Sequence, residues 1–173
     1  MYIETKEIGS EGLVVDRDVA WRMPPPKEGD DEAQVDHVHL TGEIQKEGDG
    51  FAFSGDIATQ ATLVCGRCLE PYGLPLDMHF DLLYTSRPEA RDRHGECRID
   101  VDRFTEVQFD GARIDLDALL AEQIYLALPL KPVCRDGCRG LCPRCGANLN
   151  IAACGCTAEA EPDPRLAALK RLV

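Results

Sequence analysis

The sequence predicts an α+β protein: a mainly antiparallel sheet or partly open β-barrel with one main helix, a cysteine-rich zinc-binding loop region and a short C-terminal helix. Three observations predict it. Residues 72–84 alternate apolar and polar side chains, residues 115–128 switch to a helical period, and six of the nine cysteines crowd between 134 and 156. A chain of 173 residues, 44% hydrophobic and 29% charged, has the composition of an ordinary globular protein.

Taken in order, residues 1–21 hold one or two short strands around the apolar run of EGLVVDRDVAW. RMPPPKEGDDEAQ (22–34) joins three prolines to an acidic run and reads as a loop. From Val38, VHLTGEI puts Val38, Leu40 and Ile44 on one face, and KEGDG (46–50) supplies turn chemistry. Phe51, Phe53, Ile57, Ala61, Leu63 and Cys65 then share a face, which completes a hairpin with a long second arm. Tyr72, Leu74, Leu76, Met78, Phe80, Leu82 and Tyr84 alternate with Asp77, His79 and Asp81, as in a sheet with one wet face. SRPEARDRHGE (86–96) interrupts the pattern as an exposed loop, and a further strand fits around Phe104–Phe109.

Leu116, Leu119, Leu120, Ile124, Ala127 and Leu128 recur at three and four, Asp115 caps the start, and Pro129 stops the helix 115–128. DPRLAALKRLV repeats that logic in miniature, with Asp163 as N-cap, Pro164 at the first helical position and Leu166, Leu169 and Leu172 as an apolar edge. Two regions follow. Residues 1–130 form the β-rich part with its helix, and 131–173 form a cysteine-rich segment and C-terminal helix packed on the same core.

No stretch reaches the ~18 apolar residues of a membrane span, and the start MYIETKEIGSEG lacks a signal-peptide pattern. The expected compartment is the cytoplasm, with no membrane contact. Its reducing conditions make thiols metal ligands or redox groups rather than a disulfide framework. Charge is unevenly placed along a chain of net −12: residues 1–60 carry fourteen acidic against five basic side chains. Lys131, Arg135, Arg139 and Arg144 face only Asp136 within 131–150. Such a chain repels nucleic acid at long range, so any RNA contact belongs at those four basic residues, which otherwise read as a solubilising surface.

CPRCG (142–146) has the form of a zinc knuckle, two thiolates on a tight turn with Pro143 fixing one φ and Gly146 tolerating φ > 0. The other two ligands come upstream, from Cys134 and Cys138, or downstream, from Cys154 and Cys156, and spacing does not choose between them. Four of these six hold one zinc. CGRC at Cys65 and Cys68 is a second knuckle-like pair and a candidate second site, eight thiols sufficing for two four-thiolate sites when Cys97 is set aside. The same pair resembles the CxxC of thiol–disulfide enzymes, but LEPYGLPLDM follows with no helix to activate the first thiol. His94-Gly-Glu96 imitates the H-x-E of zinc deaminases without their P-C-x-x-C. His37 and His39 flank Val38 as solvated side chains. No H-E-x-x-H, P-loop, dinucleotide fingerprint or G-x-S-x-G occurs, and the balance favours a binding protein over an enzyme.

CGRCLEPY after a strand, the helix DLDALLAEQIYLALPLKPVC, then CRGLCPRCGANLN and DPRLAALKRL resemble the YceD family from about Val38 to the C-terminus. Cys65 and Cys68 match that family's first pair, and Cys138, Cys142 and Cys145 its cysteine-rich segment. The resemblance implies a non-enzymatic role in making, processing or stabilising 23S ribosomal RNA during assembly of the large ribosomal subunit. Since some members lack most of the later cysteines, zinc would serve here as a local brace. The partner is expected to be a large-subunit precursor, met through a basic ribosomal protein or assembly factor on the acidic N-terminal half, with only weak or indirect contact to the RNA.

Overall fold

The computed structural model describes residues 1–24, 33–86 and 106–156. The expected C-terminal helix at 163–172, Cys97 and the His94–Glu96 pair lie outside the described residues. The elements are strands β1 (Tyr2–Glu4), β2 (Leu13–Val19), β3 (Gln34–Glu47), β4 (Gly50–Val64), β5 (Pro71–Thr85), β6 (Glu106–Gln108) and β7 (Arg113–Asp115), followed by helix α1 (Leu116–Ala127).

Sequence-adjacent long strands make the sheet. Its order is β2-β3-β4-β5-β6, and β1 pairs with β7 in a separate ribbon. All pairs are antiparallel except β5 with β6, which run parallel from Leu83↔Glu106 to Thr85↔Gln108. The described sheets are open and close no barrel: β2 and β6 end the order without meeting. At the β3–β4 turn Glu47 faces Gly50 and Gly48 has φ +57, as a two-residue hairpin loop with Gly first requires.

The hairpin starts earlier than the alternation from Val38 implies, because a bulge hides four residues of strand. Val35 pairs with Ala61 and Val38 with Thr59, leaving two residues opposite Gln60. The extra residue shifts the side-chain parity, so Val35 and Val38 both point inward, 1% and 0% exposed.

Across the sheet the two faces separate by register. One face stacks Leu13, Ile44, Phe53 and Leu82, then Val15, Gly42, Gly55 and Phe80. Phe80 lies over Gly55, where a Cβ would approach its ring to 3.1 Å, and meets Phe53 edge-on at 4.9 Å. The α1 residues Leu116, Leu119, Leu120 and Ile124, spaced at three and four, bury themselves with Ile3 and Ile114 of the ribbon in the same core. The result is two layers, sheet against helix and ribbon. Asp115 caps α1 by accepting from the amides of Asp117 and Ala118 at 3.0 and 3.3 Å. It stands outside the helix, and Leu128 forms the opposite cap, so the helix is one residue shorter at each end than 115–128. Trp21 donates from Nε1 to Asp117 Oδ1 at 3.0 Å, tying the chain after β2 to the same turn.

The other face is acidic. Its three central rows read Val14-Glu43-Ser54-Asp81, Asp16-Thr41-Asp56-His79 and Asp18-His39-Ala58-Asp77. Six carboxylates and two histidines share these rows with no Lys or Arg. His37 lies close by and contacts Asp18 at 3.1 Å. His79 sits between Asp56 at 2.9 Å and Asp81 at 3.3 Å, and the Asp56 hydrogen bond, with Asp81 adding, raises its pKa above the ordinary histidine value. A raised folded pKa means the protonated ring stabilises the fold fully below the unfolded pKa of ~6.5 and loses that contribution as pH rises through the folded value. An NMR titration of the His79 ring should show a midpoint above the unfolded one, returning towards it in Asp56→Asn. An unchanged midpoint in that variant would remove the pairing from the explanation.

Candidate metal centres

Two four-cysteine clusters stand at the end of the sheet where β4 turns into β5. Centre 1 gathers Cys65, Cys68, Cys134 and Cys138, and centre 2 gathers Cys142, Cys145, Cys154 and Cys156; within each, all four sulfurs lie within 4.8 Å of one another. The CPRCG knuckle is therefore completed from downstream, and Cys134 and Cys138 join the CGRC pair instead.

Each centre grows from the same turn. In 65–70 the amide of Leu69 donates to the carbonyl of Cys65 at 2.9 Å and the amide of Cys65 to that of Glu70 at 3.0 Å. In 142–147 the amide of Gly146 donates to Cys142 at 2.9 Å and that of Cys142 to Ala147 at 2.8 Å. The residue after the second cysteine is left-handed in both, Leu69 at φ 59 and Gly146 at φ 72. Glycine fits that conformation freely, whereas Leu69 holds it at a cost of roughly 1–2 kcal/mol. The folded surroundings impose the turn at CGRC. Residues 132–138 supply them: the Gly66 amide donates to Pro132 at 2.8 Å, and the Arg67 guanidinium donates to the carbonyls of Asp136 and Cys138 at 3.3 and 3.2 Å.

The two turns touch at Gly140, whose φ is +71 and where a Cβ would come within 2.9 Å of the Arg67 carbonyl. That carbonyl accepts from the Leu141 amide at 3.0 Å. Asn148 donates to Glu70 Oε1 at 3.3 Å, and Asn150 donates to the Cys138 sulfur at 3.4 Å while its Oδ1 accepts from the Arg139 amide at 2.9 Å. Asn150 lies in the loop between Cys145 and Cys154, so a chain segment of centre 2 orients a ligand of centre 1. Sequence reasoning missed Arg67, Gly140, Asn148 and Asn150; the ANLN that follows the knuckle was the available signal.

The geometry fits a tetrahedral ion. A four-thiolate site with metal–sulfur bonds of ~2.3 Å has sulfur–sulfur edges of about 3.8 Å, and Cys65–Cys138 and Cys68–Cys134 both stand at 3.8 Å. Backbone amides already point at the sulfurs. Those of Arg67 and Cys134 each lie 3.4 Å from Cys65 Sγ. The Cys134 amide is the main cause that pulls the Cys65 thiol down to about 6, and the amides of Cys145 and Arg144 do the same for Cys142. Burial pushes Cys134 up to about 12, and the Cys145 sulfur pushes Cys156 up to about 12. The Asn150 donor lowers Cys138 as well, so centre 1 favours two thiolates and centre 2 favours Cys142, and both resist a full set of four unless a cation balances the charge. The chemistry of the donor set fits a soft or borderline metal ion.

Replacing Asn150 by alanine removes the donor to Cys138 and frees the Arg139 amide. Loss of such an outer contact is expected to weaken metal binding at centre 1 by about 10-fold or more, as read by competition with a chromogenic chelator. Unaltered affinity would show that the contact only fills space.

Arg135, Arg139, Arg144 and Arg67 each adjoin a cluster cysteine in the chain, and Lys131 lies three residues before Cys134. Lys131, Arg135, Arg139 and Arg144 are all exposed, as is Arg67. A divalent ion held by four thiolates carries a formal charge of about −2, so these side chains balance their own lobe before they offer positive charge to a partner. Cys65 follows β4 and is succeeded by a turn and β5, and among the described residues no helix N-terminus follows it.

An open, mainly antiparallel sheet carrying two four-cysteine clusters, each able to hold a metal ion, defines a small β-rich protein with a cysteine-rich lobe. The chain belongs to the YceD family: residues 53–173 match its profile, described as large ribosomal RNA subunit accumulation protein YceD. It is 32% identical over 141 residues to a maize protein named large ribosomal RNA subunit accumulation protein YCED homolog 1, chloroplastic, covering 69% of this chain and 48% of that one. The Arabidopsis thaliana protein of the same name is 25% identical, over 70% of this chain and 44% of its own length. A Mycobacterium tuberculosis protein described as uncharacterized is 30% identical, over 61% of this chain and 48% of the relative. The chain spans about half the length of the curated relatives it matches. No solved structure matches it. Among the described residues no helix is long and apolar enough to cross a membrane.

Proposed function

We propose that this protein supports accumulation of the large-subunit ribosomal RNA, 23S in a bacterial-type ribosome, as a non-enzymatic assembly factor. The names of its maize and Arabidopsis relatives state large ribosomal RNA subunit accumulation for them. It acts in the compartment where the subunit is assembled, the cytoplasm of a bacterial cell. Its partner is a basic ribosomal protein or assembly factor on the precursor subunit.

One observation carries this reading: the outer sheet face, with Glu43, Asp16, Asp18, Asp56, Asp77 and Asp81 in three adjoining rows and no Lys or Arg among them. A flat field of one sign steers an oppositely charged partner and repels phosphate. The lobe of Lys131, Arg135, Arg139 and Arg144 supplies a second, weaker contact that can approach RNA once the partner is docked. Zinc is the ion best suited to both centres, since it takes four thiolates tetrahedrally with no redox chemistry. A centre with every position filled by protein leaves none for substrate. That favours a brace over a thiol–disulfide enzyme acting through Cys65 and Cys68.

Pull-down at low salt is expected to recover a basic large-subunit protein, and replacing Asp16, Asp56 and Asp81 by asparagine should abolish the capture. Recovery of naked 23S RNA alone, lost on neutralising the four basic residues, would overturn the assignment.

A further inference from the structure

The two centres share ligands and turn geometry but not cover. In centre 1, Cys65, Cys68 and Cys138 are 0%, 4% and 6% exposed, and Tyr72 and Val133 pack against them. In centre 2 only Cys142 is buried, Cys154 is half-buried, and Cys145 and Cys156 are exposed. The neighbours of the exposed pair, Arg144, Gly146 and Gly155, are exposed as well, so solvent reaches both sulfurs from outside the lobe.

We propose that Cys145 and Cys156 form a peroxide-modification site, through which centre 2 is opened while centre 1 stays closed. The proposal rests on the zinc reading above. Thiolate oxidation follows exposure and thiolate character, and a zinc-bound sulfur keeps thiolate character while the ion itself undergoes no redox change. In the first step one exposed sulfur attacks hydrogen peroxide. The S–O bond forms, the O–O bond breaks, hydroxide departs, and that sulfur, now a sulfenic acid, has given up two electrons. In the second step the other exposed thiolate attacks it; the S–S bond forms and the S–O bond breaks, releasing a second hydroxide. Two thiolates and one peroxide thus give one disulfide and two hydroxides, which take up protons as water. The sulfurs start within 4.8 Å of each other, so closing to a disulfide length of ~2.05 Å asks for less than about 3 Å of movement in exposed side chains. Cys142 and Cys154 alone then hold the ion, which leaves as the divalent cation. Centre 1 offers no equivalent approach, because three of its four cysteines are sealed.

The test uses the full chain with Cys97→Ser, so that the ninth thiol does not react, and counts its metal before treatment. One equivalent of hydrogen peroxide is added while a chromogenic chelator reads zinc release, and alkylation with mass spectrometry locates the disulfide. The expected result is release of one of two zinc ions, a Cys145–Cys156 disulfide, unmodified Cys65, Cys68, Cys134 and Cys138, and reversal by a dithiol with added zinc. Release of both ions together, a disulfide that includes a centre 1 cysteine, or no oxidation under conditions that convert a free cysteine peptide would each overturn the proposal. Protein that purifies without zinc would sink the metal reading instead. The disulfide map would still decide the site, since a Cys145–Cys156 bond supports it and any other pairing overturns it.

Discussion

Replacing Cys65 by serine is expected to empty centre 1 and unfold the lobe at 131–156 while the sheet stays folded. Cys65 sits immediately beyond β4, 0% exposed, and its sulfur receives the amides of Arg67 and Cys134. A hydroxyl there does not ionise and is too hard a donor for a thiolate site. The lobe has little else to hold it: its described apolar cluster consists of Cys65, Cys68 and Cys138 with Tyr72, Val133 and Cys134 packed on it. Structural zinc sites contribute ~10–16 kcal/mol of apparent binding free energy, far more than so few apolar contacts. The sheet depends on a different cluster, from Ile3 to Ile124, and its register does not pass through the lobe. Metal content should fall by at least one equivalent, protease should cut within 131–156, and far-ultraviolet circular dichroism should keep its β signal. A variant retaining both ions and a protected lobe would show that three thiolates and an apolar patch suffice.

What the sequence discloses and what it hides divide along sequence distance. The alternation from Tyr72 to Tyr84, the KEGDG turn and the Asp115 cap are local. Each is written in neighbouring residues, and each stands where its pattern places it. The bulge before Val38 is also local but breaks the period by which strands are found. Strand β6 lies within the strand expected around Phe104–Phe109, but its parallel pairing with β5 spans residues 87–105, and no short pattern encodes that pairing. The clusters are the sharpest case. Cys142 and Cys145 are visible as a knuckle, yet Cys65 meets Cys138 from 73 residues away and Cys68 meets Cys134 from 66, and thiol spacing carries no information on such a pairing. Leu69 at φ 59 conceals the likeness of the two turns, because a leucine does not announce a left-handed position that glycine announces at 146.

Gly140 and Gly146 offer a paired experiment on how the centres are joined. Their φ values, +71 and +72, are nearly equal, so alanine at either position carries the same left-handed strain. Their surroundings differ: a Cβ at 146 meets nothing within 4 Å, whereas one at 140 comes within 2.9 Å of the Arg67 carbonyl and 3.5 Å of the Arg67 side chain. Backbone cannot swing aside as a side-chain tip can, and the carbonyl concerned accepts the Leu141 amide that seats one turn on the other. Gly146→Ala should therefore cost about 1 kcal/mol, the conformational penalty alone. Gly140→Ala should cost roughly 2–4 kcal/mol, since it also pries the turns apart. The Asn150 donor and the Asn148–Glu70 contact stretch with it, so zinc affinity should fall at both centres in Gly140→Ala and at centre 2 alone in Gly146→Ala. Melting of the metal-loaded proteins and chelator competition read the two effects separately. Equal losses from the two variants would mean that the centres fold independently, with the Gly140 crossing a contact of no energetic consequence.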